Sequence, residues 1–285
     1  MKPSAFNYAK PSSVDEVLGL LSEHGDEATI LAGGQSLMPT MNMRLSAPSL
    51  VIDINGLVDL SGISSDGDSL RIGALTRHVE IENSPEIAKH APLIAMAMPS
   101  IAHPAIRNRG TMGGSVAMAD PAAELPACLC ALGAEIEITG SGGARKVAAT
   151  DFFRGLYDTD LGDGEILTAI EIPKISAGYR SAFDELARRH GDYAMCGVAA
   201  HAKVDGGTIS DLRLVFFAVG GTPVAAASAS AAMEGQSVDD NSIAAAQAAL
   251  EEDISPFDDL HCSATLRMHY AKELTKHVLT TLAAG

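Results

Sequence analysis

Cations are scarce in this chain, and paired cysteines, metal-binding histidine motifs and membrane-length apolar runs are missing. Lys and Arg total 20 against 36 Asp and Glu, a formal net charge of −16. Duplex binding displaces counterions with clustered cations, so this balance argues against nucleic acid as a partner. The four cysteines, Cys128, Cys130, Cys196 and Cys262, form no Cys-x-x-Cys pair. Their spacing suits neither a zinc site nor a plant-type iron–sulfur run, and they read as reduced, largely buried thiols. The nine histidines are dispersed, with no His-x-x-x-His or His-Glu-x-x-His, so no metal site is assigned. No charged and then apolar leader opens the chain and no apolar run is long enough to span a bilayer, so a cytoplasmic protein is expected. What remains is 285 residues with 47% hydrophobic and 20% charged side chains, enough for one large domain or two ordinary ones with a sizeable core.

Ser13 and Glu16 read as a capping box, followed by Val14, Val17, Leu18 and Leu21 on one helical face and Gly25 as a stop. Strands are expected at 29–32, 50–54, 69–74, 135–139, 145–148 and 165–172. Pro85, Pro92, Pro99 and Pro104 leave room only for short helices between them. A helix is expected over 122–131. After Pro173 the pattern changes to three long alternating segments at 180–188, 198–204 and 208–218. Asp205-Gly206-Gly207 between the last two is a hairpin signal. Helices are expected near 223–234, 240–252 and 263–283. The last carries Leu266, Tyr270, Leu274, Val278 and Leu282 at nearly four-residue spacing, read as a face packed on the sheet. The order gives an α+β protein in two domains, 1–176 and 177–285, with helices covering one face of the second sheet.

The most informative segment is Ala32-Gly33-Gly34-Gln35-Ser36-Leu37, at the end of an expected buried strand. Adjacent glycines let successive N–H groups share one concavity, and missing Cβ atoms let an anion approach. Thr111-Met112-Gly113-Gly114-Ser115 repeats the chemistry of hydroxyl plus paired glycines. Each alone is also an ordinary tight turn, but together they are suited to clamp opposite sides of one diphosphate. Neither is a Gly-x-Gly-x-x-Gly fingerprint or a P-loop.

These two motifs, with Asp120-Pro121-Ala122-Ala123-Glu124-Leu125-Pro126, Glu165-Ile166-Leu167 and Ala187-Arg188-Arg189-His190-Gly191-Asp192-Tyr193-Ala194, resemble the FAD-binding medium subunits of the molybdenum hydroxylases. That group includes carbon monoxide, quinoline and nicotine dehydrogenases and is related to the xanthine dehydrogenase flavin domain. The resemblance covers essentially the whole chain. It implies a two-part FAD-binding domain of the vanillyl-alcohol-oxidase (PCMH) type and a smaller C-terminal α+β domain. It also implies that Ala32, Gly33, Gly34, Gln35, Ser36 and Leu37 wrap the FAD diphosphate with Thr111, Gly113, Gly114 and Ser115. Ile101 would pack on the nucleotide, Glu124 would accept from the adenosine end, Leu167 would lie against the flavin and Tyr193 would cover one isoalloxazine face. Each has an alternative reading from the residues alone: Ile101 and Leu167 as core residues, Glu124 as a first-turn helix acid, and Tyr193 as a strand aromatic.

By the same resemblance, this chain would pass electrons from [2Fe–2S] clusters on a small partner subunit, through FAD, to an external acceptor. A large molybdopterin-binding subunit would hydroxylate an N-heterocycle or similar molecule, the whole being a dimer of heterotrimers. No catalytic acid or base is assigned here. Two departures stand out. Asp184-Glu185 occupies the stretch where many relatives carry a lysine near the flavin, and Gln35 stands where the carbon monoxide enzyme has a histidine. The second favours an organic substrate over carbon monoxide. The alternatives are a self-sufficient FAD oxidoreductase, the carbon monoxide branch, and a scaffold that binds no flavin.

Overall fold

The computed structural model describes residues 1–284. A first layer is formed by β1 (Asn7–Ala9), α1 (Val14–His24), β2 (Ala28–Leu31), α2 (Leu37–Asn42) and β3 (Leu50–Asp53). Its strands run parallel in the order β1-β3-β2. Ser13 caps α1 through a Glu16 N–H to Oγ bond of 3.2 Å, as its motif predicts. The reciprocal arm differs: the Glu16 carboxylate accepts from the N–H of Ser12 at 2.6 Å. Gly25, at φ +50, ends the helix.

A second, antiparallel sheet has the order β4-β5-β10-β6-β7. Its strands are β4 (Ile63–Asp66), β5 (Ser69–Gly73), β6 (Glu135–Gly140), β7 (Gly143–Ala148) and β10 (Ile166–Pro173). Between β5 and β6 run α3 (His78–Glu82), α4 (Pro85–His90), α5 (Pro92–Ala97), α6 (Pro104–Arg107), α7 (Met112–Met118) and α8 (Glu124–Leu132). Proline opens α4, α5 and α6, where its missing N–H costs no helical bond. After β7 come α9 (Ala149–Phe152) and a two-stranded ribbon, β8 (Phe153–Gly155) with β9 (Asp158–Thr159).

The third layer is the sheet β11 (Tyr179–Ala187), β12 (Ala194–Asp205), β13 (Thr208–Phe217) and β14 (Val224–Ala225). It is followed by α10 (Ala227–Ala232), β15 (Gln236–Ser237), α11 (Asp240–Asp253) and α12 (Ala264–Ala284). The expected hairpin closes with Asp205 opposite Thr208, and Gly206 and Gly207 at φ +56 and +86. On α12, Leu274, Val278 and Leu282 are buried as expected, while Leu266 at the helix start is 39% exposed.

Helices cover this sheet on both faces, not one. Cys196, Val198, Ala200 and Ala202 face the cluster shared with α10, α11 and α12. Ala199, Val215 and Phe217 join the central core of α5, α7 and α8. The physical reason lies in β12 itself, whose small apolar residues run almost continuously, the pattern of a strand buried on both sides. No helix among the described residues is long and apolar enough to cross a membrane.

Gly197 is the tightest point of this junction. Its cross-strand partner is Phe217, and a Cβ built on Gly197 would lie 2.1 Å from the Phe217 ring. Phe217 is fully buried and stacks on Phe183 at 5.8 Å between centroids, so it has no room to yield. Gly197→Ala is expected to destabilise the chain by about 1–3 kcal/mol through overpacking, read as a lowered denaturation midpoint at unchanged m-value.

Candidate functional site

β2 runs straight into the first glycine bend. The Ala32 carbonyl accepts from Asn55 Nδ2 at 2.8 Å, and Gly34 takes the left-handed region at φ +70, where a Cβ would be strained. The Met38 N–H donates to the Gly34 carbonyl at 3.1 Å as α2 begins. Among the described residues, none of the four successive N–H groups of Gly33, Gly34, Gln35 and Ser36 has an acceptor within the chain. Gln35 instead turns its side chain back, Nε2 donating to the Gly33 carbonyl at 2.9 Å. Four adjacent free amides at the opening of a helix are the kind of donor set from which a main-chain anion nest is built.

The second bend is built differently. Gly113, Gly114 and Ser115 are the first turn of α7, with Thr111 as its N-cap. Their N–H groups are already used: Met112 donates to Thr76 O, Gly113 to Ala74 O, Gly114 to Thr111 Oγ1 and Ser115 to Thr111 O. This bend therefore offers no backbone nest. What it presents is the Ser115 hydroxyl and the end of a helix, so the two motifs are chemically unequal despite their similar sequence.

The bends meet. A Cβ on Gly33 would lie 2.4 Å from the Arg109 carbonyl oxygen and 3.0 Å from Gly110 Cα, and one on Gly114 would lie 3.8 Å from Ala32 Cβ. This corrects the reason for the glycines. The space left by the missing Cβ of Gly33 is filled by the second bend, and that of Gly113 by Ala74, whose Cβ is 2.6 Å away. They allow backbone to approach backbone, which shapes the concavity above.

Residues outside the motifs brace this junction. Arg77 donates from one guanidinium nitrogen to the Arg109 carbonyl and from the other to Asn55 Oδ1 at 2.5 Å. Asn55 in turn holds Ala32, and is fixed by Asp53 Oδ1 through Nδ2 at 2.6 Å. Tyr8 donates to the other Asp53 oxygen at 2.5 Å. His78, 4% exposed, fills the space beside Gly110, where a Cβ would lie 2.9 Å from its Nδ1. Burial, with Arg107 and Arg77 nearby, lowers its pKa to about 4, so it stays neutral. Sequence reasoning missed all of these. Only the polar ending of β3, Asp53-Ile54-Asn55 after an apolar run, carries a signal for part of the brace.

The remaining expected residues form a second group. α7 starts at the bend and ends just before Asp120, roughly 10 Å away by its seven-residue length. There Tyr193, 70% exposed, stands with Tyr157 and Asp120 along a cavity of about 620 Å³. Desolvation, with Asp120 and Tyr157 nearby, pushes its hydroxyl pKa up to about 12. Gly191, at φ +81, lets the Tyr193 loop sit on Ala102 and His103, since its Cβ would lie 2.7 Å from His103 Nδ1. Asp184 and Glu185 line a neighbouring cavity of about 460 Å³ with Arg188 and Arg189.

Glu124 opens α8 at 8% exposure. Burial, followed by the charges of Glu185 and Asp120, raises its pKa to about 8. It is therefore mainly protonated at neutral pH and not the purely accepting carboxylate that the resemblance implies. Protonated, it both donates and accepts. Ile101 and Leu167 are 7% and 4% exposed and both lie in the central core. The structure brings Ala32–Leu37 together with Thr111–Ser115, and Tyr193 together with Asp120. It leaves Ile101 and Leu167 as core residues.

The comparisons agree along the whole chain. A family model for the FAD binding domain in molybdopterin dehydrogenase matches residues 4–175, and one for the CO dehydrogenase flavoprotein C-terminal domain matches 181–282. The nicotine 6-hydroxylase medium subunit of Paenarthrobacter nicotinovorans is 38% identical over 100% of this chain and 99% of its own length. Among solved structures, carbon monoxide dehydrogenase from Hydrogenophaga pseudoflava superposes with a TM-score of 0.97 at 37% identity, covering 100% of this chain and 99% of that one. Quinoline 2-oxidoreductase from Pseudomonas putida 86 gives 0.95 at 40% identity, again over 100% and 99%. With both models matched in order and relatives matched end to end, this chain belongs to the FAD-binding medium-subunit family of the molybdopterin dehydrogenases.

Proposed function

We propose that this chain carries FAD with its diphosphate in the nest of Gly33, Gly34, Gln35 and Ser36, and with the flavin beside Tyr193. The observation that carries the reading is the meeting of the two glycine bends around four amides that lack acceptors. Such amides bind an anion without any lysine, at no reorganisation of the chain. Ser36 and Ser115 add hydroxyls, Leu37 the edge of the nest, and Thr111, Gly113 and Gly114 its wall. Glu124 hydrogen-bonds the adenosine end, and Ile101 and Leu167 form the apolar backing.

When bound, FAD supplies the exchange between carriers of different electron number. The chain's residues hold it, orient it and exclude water from one side; no residue here acts on the substrate. Electrons arrive from [2Fe–2S] clusters on a small subunit and leave to an external acceptor. A large molybdopterin-binding subunit hydroxylates a small organic molecule, in keeping with relatives named for nicotine, caffeine and quinoline. The reading includes a dimer of three-chain units in the cytoplasm and a domain boundary between residues 176 and 177.

Native purification with co-expressed partner chains, followed by an absorbance spectrum and metal analysis, tests this. The expected result is a flavin band at about one FAD per chain, with molybdenum and iron in the complex. A complex with no flavin absorbance would overturn the reading.

A further inference from the structure

Arg267 is 2% exposed and sits in the first turn of α12. A cation is unfavourable there on two grounds, since burial strips its hydration and the helix N-terminus is itself positive. Its contacts explain why it is tolerated. Nε donates to the Met195 carbonyl at 2.9 Å, one terminal nitrogen to the Phe257 carbonyl at 2.5 Å, and the other to Asp259 Oδ2 at 2.7 Å. The guanidinium carbon also lies 4.4 Å from the centre of the Phe257 ring.

These partners belong to two separate pieces of chain. Met195 is in β12, two residues after Tyr193. Phe257 and Asp259 lie in the irregular strap between α11 and α12. Asp259 organises that strap in turn, accepting from the N–H of His261 at 2.7 Å and of Cys262 at 2.8 Å. Tyr193 and Met195 line the cavity of about 620 Å³ together with Phe257, Asp259 and His261. One buried guanidinium thus fastens the strap to the strand that carries Tyr193.

We propose that Arg267, acting through Met195 and Asp259, is a positioning residue for the flavin face at Tyr193, setting the width of the cleft between Tyr193 and the 255–263 strap. Arg267 is itself part of the cavity lining, but its guanidinium is committed to these three bonds, and through them it fixes the two walls of the cleft. The inference rests on the reading that the flavin lies beside Tyr193. The planar fork suits the task because three bonds in fixed directions lock three backbone or side-chain positions at once, which a lysine ammonium on a flexible stem does not do.

The test uses the full chain purified with its partners, as wild type and as Arg267→Lys, Asp259→Asn and Tyr193→Ala. Three quantities are read: limited proteolysis within 255–263, flavin fluorescence, and FAD per chain. Asp259 is a third exposed in its side chain, so Asp259→Asn tests the strap even where a change at Arg267 prevents folding. Losing a charge-assisted bond is expected to speed strap cleavage about tenfold in Asp259→Asn and Arg267→Lys. Flavin fluorescence should rise toward the level of Tyr193→Ala, because the quenching phenol is no longer held in place, while FAD stays near one per chain.

Faster cleavage with unchanged fluorescence would overturn the proposal, since the strap would then be independent of the flavin face. Unchanged cleavage would overturn it too. A wild-type complex without flavin would sink the functional reading instead, with the proteolysis still reporting whether Arg267 holds the strap.

Discussion

Gly33→Ala is expected to abolish stable FAD retention while leaving most of the fold in place. The added methyl would sit 2.4 Å from the Arg109 carbonyl oxygen and 3.1 Å from its carbon, both backbone atoms that cannot swing aside. Relief requires the two bends to separate. Separation pulls on the Arg77–Asn55 brace and re-aims the N–H groups of Gly33 to Ser36. An anion nest depends on convergence, so a shift of half an ångström costs several charge-assisted bonds together. A weakening of about a hundredfold, ~2.8 kcal/mol, is expected in FAD binding. Gly114→Ala gives the contrast. Its Cβ would be 2.7 Å from Thr111 Oγ1, a side-chain atom that can rotate at the expense of the α7 cap, and only 3.8 Å from Ala32. Its effect should fall mainly on stability, by about 1 kcal/mol. Flavin absorbance after gel filtration and a thermal midpoint separate the two variants. Equal FAD content in wild type and Gly33→Ala would refute the role given to the meeting of the bends.

The sequence exposed those parts of the structure that depend on local chemistry. Gly25, Pro173 and Asp205-Gly206-Gly207 end or turn elements through their own backbone preferences, and each appears where expected. β1 and β4 were not foreseen. The first is three residues long and owes its existence to pairing with β3; the second carries Ser64 and Ser65 with no apolar alternation and is defined by β5. Both are made by partners distant in sequence. The second covered face of β12 is different: its apolar run carries the signal locally, and only the identity of the covering helices, α5 and α8, depends on distant chain.

In the site, the motifs located both bends but not their inequality. Thr111-Met112-Gly113-Gly114-Ser115 resembles the first bend in composition, and nothing local shows that Thr76 and Ala74 already take its amides. Nor does a lone Arg77 or His78 advertise itself, since each matters through what it touches across the fold. Asp184-Glu185 was legible as a departure from relatives. That Glu185 is a partly buried acid acting on Glu124 emerges only from the packing of α5 on β11 and of α8 on β12.

That acid pair leads to the other large expected effect, a loss of stability on the alkaline side. Burial and then Glu185 and Asp120 raise Glu124 from 4.5 to about 8. Burial and then Asp184 raise Glu185 from 4.5 to about 7, and Glu185 Oε2 is buried with no hydrogen-bond partner among the described residues. Cys128 lies close behind with its thiol also pushed up, and Arg188, Arg189 and His190 share the cavity lined by Glu185. Asp184 itself faces His277 at 3.7 Å. A carboxyl whose pKa is higher in the folded chain than in the unfolded one binds its proton more tightly when folded. Its contribution is therefore fully present below about 4.5 and is lost as pH rises toward about 8. For Glu124 the loss is on the order of 4 kcal/mol, titrating jointly with Glu185, which lowers the thermal midpoint by about 10 °C. Glu124→Gln should hold its midpoint nearly level across that window, because the amide needs no proton to stay neutral. Glu185→Gln should shrink the fall by removing the like charge while leaving the desolvation of Glu124 in place. Thermal scans of the chain without added flavin, taken at several pH values between 5 and 9, provide the measurement. A wild-type curve that stays level, or a Glu124→Gln curve that follows the wild type, would show that the two carboxyls ionise without opposition in the folded chain.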